Sequence, residues 1–511
     1  IALADQFLKN HADNQLAIDV KSVAAESNLQ SGNHAAAARL FAELLADLAD
    51  KGADRPEISQ WRIREALALF GQQKYAESLE RVENSLPALE FPGERAEAYM
   101  LAGRNQFAQG EFAAAEKAFQ QSLESQADWR QADETWLFLS RAQRKQNKLD
   151  EARESISQLI SEFPQSSVLD QAHFRLAEYA YSQGDFEAAN QEYKIVIDDY
   201  PESVYRPYAL YGRGWSNLRE RKLADAEQNF TALIEQTPEH KLVSQALYAR
   251  GMSRQQAGEF KKALADVATY LENVPDENRQ ADGLYIRGLS QAGLKQLDEA
   301  IATFESIVQK HPEYAGMDRV LYELAWAQKD GSKNEDAIAT FRQLTETYPA
   351  SGFVAESLYH LGEASYAAKD YKNAADLYER ARSQVSGNPD LAEKVLYKLG
   401  WSNYQRKQVD AALASFVDQV KEFPQGKLLG DAHFMQGECQ FQTEKYDQAL
   451  TAYAAATAHP LSSNTIKTLA YLHAGQAAAQ LEKWQESLEL LEKIDGDQPQ
   501  SAFGLEIKYE M

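Results

Sequence analysis

The sequence predicts an all-α solenoid of about 13 helix–turn–helix repeats. Three observations predict it. One position recurs every 37 residues, at Tyr75, Phe112, Leu149, Phe186, Leu223, Phe260, Leu297, Asn334 and Tyr371, and continues at Val409, Tyr446 and Trp484 with one-residue insertions. A small residue follows it three places later (Ala115, Ala152, Ala189, Ala226) and a large one seven places later (Phe119, Ile156, Tyr193, Phe230). Prolines close successive units at 164, 201, 238, 275, 312, 349, 389, 424, 460 and 499. A fixed period of this length with two helices per unit is the signature of stacked repeats, each burying its apolar face against the next.

The unit is clearest at Val168–Pro201. Leu169 to Ser182 reads as a first helix, Gly184-Asp185 as the break, and Phe186 to Asp199 as a second helix. Pro201 stops it, because proline lacks the N–H and clashes with the preceding turn. Offsets of 0, 3 and 7 from Phe186 share one helix face. There the small residue lets two helices approach and the large one fills the space beside it.

These residues resemble the tetratricopeptide repeat (TPR) family. Its spacing of a small residue, then a small residue, an aromatic and a proline 12, 16 and 24 positions on, is met by Gly214, Ala226, Phe230 and Pro238, and again by Gly288, Ala300, Phe304 and Pro312. The resemblance covers nearly the whole chain and implies a right-handed TPR superhelical solenoid. The period of 37 and the recurring tyrosine of ALYARG, VLYELA, SLYHLG and VLYKLG are similar to bacterial envelope members: the TPR lipoprotein of outer-membrane assembly and the periplasmic TPR partner of the Tol–Pal system.

In chain order, 1–14 reads as the end of a preceding repeat. Residues 15–164 hold repeats one to four, the least regular: Arg62 stands at an apolar position, Leu86-Pro87 ends a helix early, and 50–57 is an insertion. Residues 165–349 hold repeats five to nine, the most regular. Residues 350–499 hold repeats ten to thirteen, with a longer exit at 383–389. Residues 500–511 begin a further first helix, so more repeats or domains are expected beyond both ends. Any bend is expected near 50–57 or 383–389.

The chain of 511 residues is 44% hydrophobic and carries a net charge of −24. That charge argues against nucleic acid as a partner, because phosphate binding needs clustered cations. The densest basic run, Arg141, Arg144, Lys145 and Lys148, reads as a solvated face near a helix C-terminus. One cysteine, Cys439, excludes an internal disulfide and reads as a packing residue. No apolar run is long enough to span a membrane as a helix. The nine histidines form no HExxH, and no phosphate-binding glycine loop is present, so no metal, cofactor or catalytic residue is assigned.

The resemblance places the first helices on the concave side. Positions −3, +1 and +4 from each first helix's small residue then form one stripe. It contains Tyr211/Trp215, Tyr248/Met252, Tyr285/Leu289, Tyr322/Trp326, Tyr359/Glu363 and Tyr397/Trp401/Tyr404, flanked by Phe174/Glu178/Tyr181 and Phe434/Glu438/Phe441. Two readings fit the tyrosines: packing between neighbouring first helices, or a binding groove. At +1, tryptophan and methionine alternate with glutamate, which suggests an exposed position and hence partner anchors. Arg213, Arg250 and Arg287, at −1 in consecutive repeats, read either as a basic ladder for carboxylates or as side chains bonded to acids such as Glu227 or Asp266. The expected function is a non-enzymatic scaffold holding a protein or peptide segment in a periplasmic or envelope-associated complex. The alternatives are a cytoplasmic adaptor, the substrate-presenting arm of an enzyme, and a glycan-binding groove.

Overall fold

The structure, a computed structural model, describes residues 1–11, 14–50, 57–272 and 276–497. The insertion at 51–56, Pro275, Pro499 and the helix expected from 501 lie outside them. Among the described residues there are 27 α-helices, one short 3-10 turn at Leu86–Ala88, and no strand. After Ala2–Asn10, the helices form thirteen consecutive hairpins, each of a first helix A and a second helix B. The fifth comprises Leu169–Ser182 and Phe186–Asp199, and the sixth Arg206–Arg219 and Leu223–Gln236.

One backbone device makes every A-to-B turn. The residue two before helix B is left-handed in all thirteen hairpins, as glycine at Gly32, Gly110, Gly184 and Gly258 and as a side-chain-bearing residue elsewhere, for example Arg221 (φ 59°) and Glu444 (φ 61°). The next amide bonds back to the carbonyl five residues earlier, as Asp185 N–H to Ala180 O (3.0 Å) and Lys222 N–H to Asn217 O (2.8 Å). This closure satisfies carbonyls the helix end would leave open, at the cost of strain wherever the residue is not glycine. Only the four glycines mark the conformation in the sequence.

The B-to-A turn is fixed by side chains. The serine two places after proline donates to an aspartate in the preceding helix A: Ser166 to Asp133 (2.6 Å), Ser203 to Asp170 (2.6 Å) and Ser351 to Asp318 (2.7 Å). The same serines accept from the amide two residues on, as in Tyr205 N–H to Ser203 (3.0 Å). At these three turns the start of one repeat is thereby tied to the repeat before it. Two sequence readings need correction. Pro389 opens the helix Pro389–Gln405, whose start is capped by Asn388, instead of closing a unit. Arg62 is exposed, and Ile63 fills the apolar position, because the face is rotated by one residue there.

The core is a row of aromatic side chains from helix B seated on small residues of helix A. A Cβ placed on Gly214 would lie 2.5 Å from the Phe230 ring, so the ring occupies the space the missing side chain leaves. Phe119, Phe304, Phe416 and Tyr453 sit likewise on Gly103, Gly288, Gly400 and Gly437. The chain divides into two compact units, Ile1–Ala257 and Gly258–Met511. The division follows contacts, whereas the sequence segmentation rests on repeat regularity.

Candidate partner-binding face

In the first unit, Tyr211 and Trp215 lie half-buried on helix A of repeat six. Both rings lean on Phe230, at 6.0 and 6.3 Å between centroids, and on each other at 6.2 Å. Phe174 stacks on Tyr205 of the next repeat at 5.1 Å. Together Phe174, Glu178, Tyr181, Tyr208, Tyr211 and Trp215 line a surface cavity of about 530 Å³. Tyr248 and Met252 are half-buried on the following helix A.

In the second unit the same cluster repeats. Tyr322, Trp326 and Phe341 form one (6.3 and 6.4 Å), and Tyr397, Trp401 and Phe416 another (6.3 and 6.0 Å), with Tyr404 6.0 Å from Trp401. Tyr285 lies 6.2 Å from Phe304, Tyr359 lies 5.8 Å from Tyr378, and Leu289 packs on the same core. Tyr211, Tyr285, Tyr359 and Tyr397 thus pack on helix B of their own repeat, whereas Tyr322 stacks on Phe353 of the next repeat (4.5 Å).

The glutamates at +1 do not mark an exposed position, as the sequence reading had it. Glu363 accepts the Tyr378 hydroxyl and pairs with Lys398 (3.0 Å). Glu438 accepts the Tyr453 hydroxyl (2.7 Å) and meets His473 Nδ1 (2.6 Å). Burial, with Glu178 beside it, pushes the Tyr193 phenol up. Helix B carries tyrosine where +1 is Glu178, Glu363 or Glu438, and phenylalanine where +1 is Trp215, Leu289, Trp326 or Trp401. The pairs stand fifteen residues apart, a spacing that was open to reading in the sequence. A buried hydroxyl needs an acceptor, and a half-buried carboxylate needs a donor. Tyr378→Phe alone is expected to cost about 1–2 kcal/mol by removing Glu363's donor. Combined with Glu363→Trp, it recreates the Trp326/Phe341 pairing and should recover most of that loss. A double-mutant cycle in urea unfolding checks this, and additive losses would refute the pairing.

Of the three arginines at −1, Arg213 and Arg250 belong to the first unit and Arg287 to the second. Arg250 donates to Thr231 on the preceding helix B (3.1 Å), so it is turned away from the stripe. Glu227 pairs with Arg254 (2.8 Å). Arg213 is half-buried, and Arg287 is exposed in the second unit. Cys439 is buried, which pushes its thiol up to about 12 and leaves it a packing residue. His173 packs with Glu192 (2.7 Å), and the His433 and His459 rings stack at 5.8 Å. Among the described residues no group of three His, Cys, Asp or Glu side chains is placed to hold a metal ion.

One part of the face was missed. The stripe at −3, +1 and +4 extends into repeats three and four. Applied to Gly103 and Ser140, the spacing gives Met100/Arg104/Phe107 and Leu137/Arg141/Arg144. The basic run is thus not simply a solvated face. Lys148 pairs with Glu116 (2.6 Å), but Arg141 is half-buried between the rings of Phe107 (5.1 Å) and Phe138 (5.0 Å).

The fold and this face define a helical-hairpin repeat protein, a class built to present a continuous surface for partners. The chain belongs to the tetratricopeptide repeat family. Models of that description match residues 100–167, 174–241, 397–463 and 434–502, and 356–386, together more than half of the chain. A model of the YfiO outer membrane lipoprotein family matches residues 209–356. Similar solved structures include a tetratricopeptide repeat protein from Parabacteroides merdae (16% identity, 60% of this chain and 99% of that one, TM-score 0.36). Another is YrrB, described as a TPR protein with an unusual peptide-binding site (24% identity, 40% and 97%, TM-score 0.33). A third is the APC/C hetero-tetramer Cut9–Hcn1 (12% identity, 100% and 99%, TM-score 0.33). No curated protein matches the chain significantly in sequence.

Proposed function

We propose that this tetratricopeptide repeat chain is a non-enzymatic scaffold that holds a segment of a partner protein along its helix A face, in a complex of the bacterial cell envelope. The observation that carries the reading is the cavity of about 530 Å³ walled by Tyr208, Tyr211 and Trp215. The Tyr211 and Trp215 rings are fixed from behind by Phe230, so ordering them on binding costs little. Tryptophan and tyrosine offer large, rigid anchoring area, which is why a few such residues dominate the energy of protein interfaces. Trp326 and Trp401 repeat the arrangement in the second unit. The envelope setting is supported by the outer membrane lipoprotein match over residues 209–356. Among the described residues no helix is long and apolar enough to cross a membrane.

The test is capture from a bacterial envelope extract with the full chain and with its Trp215→Ala/Trp326→Ala/Trp401→Ala variant, followed by titration of the purified captured protein. The variant, with helical circular dichroism retained, is expected to bind at least about 30-fold more weakly, the loss of one central tryptophan anchor of about 2 kcal/mol. Equal affinity would assign the aromatic stripe to packing and remove this reading.

A further inference from the structure

We infer that the helix A face of repeats three to five is an anion site that takes the carboxylates of an acidic segment of the partner. The inference rests on the helix A face being the binding face, and it names the chemistry of what lies there.

The site is a second cavity, of about 610 Å³, lined by Phe107, Arg141, Arg144, Lys145, Arg175 and Glu178 among others. Glu178 also lines the aromatic cavity, so the two adjoin. The cations are held by aromatic rings more than by acids. Arg141 lies between Phe138 and Phe107, and Lys145 is 5.9 Å from Phe112; Arg104, outside the cavity lining, lies 4.6 Å above Phe70 and 5.4 Å from Phe138. Ring faces hold a guanidinium in place and leave its N–H edge free, the edge that grips a carboxylate through two parallel bonds. Among the described residues, no carboxylate lies within ion-pairing distance of Arg141, Arg144 or Lys145, while Arg175 alone is paired, to Glu178 (2.6 Å). The Nε of Arg104 and of Arg175 is buried and has no acceptor in the protein.

The arrangement is costly without a ligand. Burial, with Arg175 facing it, pushes the Arg141 guanidinium below its usual range. An incoming carboxylate relieves both the desolvation and the repulsion. The protein carries a net charge of −24, yet among the described residues Arg141, Arg144 and Lys145 have no ion-pair partner at this place on the face. The planar carboxylate matches the guanidinium edges, which can each give it two parallel N–H bonds, and Glu178 in the wall keeps the net positive charge of the site modest. With the aromatic cavity next to it, the site fits a segment in which acidic side chains precede an apolar or aromatic residue.

The probe is a fluorescein-labelled oligo-glutamate peptide with an amidated end, beside its oligo-glutamine counterpart, titrated into the full chain by anisotropy. The oligo-glutamate is expected to bind, weakening with salt, and the oligo-glutamine not. Arg144→Gln/Lys145→Gln, at the cavity rim, should weaken binding at least about tenfold with the helical signal unchanged, and Arg141→Gln should do so too. Trp215→Ala should leave this probe unaffected, since the peptide has no apolar anchor. Equal binding of the two peptides, or no effect of Arg144→Gln/Lys145→Gln, overturns the inference. So does displacement of the probe by inorganic phosphate or by oligothymidylate at lower concentration than by free oligo-glutamate. If oligo-glutamate fails while the captured partner still depends on Trp215, the aromatic face stands and the acid chemistry falls. If the partner ignores Trp215 but oligo-glutamate needs Arg144 and Lys145, the anion site stands alone.

Discussion

Truncating Phe230 to alanine is expected to destabilise the first unit by about 3–5 kcal/mol, the cost of removing a large ring from a site that cannot collapse. The ring is fully buried and fills the space above Gly214, while Tyr211 and Trp215 lean on its edges. Neither helix can move in, because the turn at Arg221 and the amide of Lys222 fix the hairpin's spacing. In a repeat array the loss is felt by neighbouring repeats first, since stability is close to a sum of nearest-neighbour terms. Urea unfolding followed by circular dichroism should show a lower midpoint. Amide exchange should speed up over Arg206–Gln236 before it does so elsewhere. A loss below about 1 kcal/mol would mean that the repeat closes over the hole, contrary to the ring's role as keystone. The same substitution should weaken partner binding, because it removes the support behind Trp215.

Acidification is expected to destabilise the second unit through His360. Burial, with Lys329 next to it, depresses this imidazole to about 4. Lys329 Nζ donates to its Nδ1 (3.1 Å), which requires the neutral ring. Trp326 (4.8 Å) and Phe341 (5.4 Å) cover it, Glu356 lies 4.0 Å from Nε2, and Glu363 and Lys394 complete the charges that face it. The sign follows from the depressed value. Between about 4 and the usual value near 6.5, the unfolded chain takes up a proton that the folded chain refuses. The contribution of His360 is therefore intact above about pH 6.5 and is lost as pH falls towards 4, by up to about 3 kcal/mol. His360→Gln should flatten this part of the stability curve relative to the unsubstituted chain. Titration of Glu356 and Glu363 is common to both proteins, so the difference between the curves isolates the histidine. Parallel curves would show that the imidazole accepts its proton in place. Trp326 sits on this ring, so its fluorescence provides a local readout.

The fold was legible because its cause is local and repeated. A period of 37, with small and large residues at fixed offsets on one helix face, already specifies hairpins that bury nothing alone and must stack. The helices Leu169–Ser182 and Phe186–Asp199 fall where the pattern put them. The turn was half legible. Gly184 announces a left-handed residue, whereas Arg221, Lys295 and Glu444 adopt the same conformation because the packed hairpin imposes it. The candidate face was legible as a stripe but misjudged in its meaning. Glutamate at 363 and 438 accepts from a tyrosine fifteen residues on, and that partner lies on a different helix, where helical periodicity gives no guide.

The sequence by itself determined the family, the register of the hairpins and which residues share the helix A face, since all of these follow from spacing along the chain. The tertiary structure alone decided what each of those residues does there. It set Trp215 against Phe230, hid the hydroxyls of Tyr378 and Tyr453 on carboxylates, and brought Arg141 and Arg175 from successive repeats to one cavity between phenyl rings. The physical reason is that burial, charge pairing and cavity shape depend on distance in space between helices, and a spacing rule read along one helix carries no information about its neighbour.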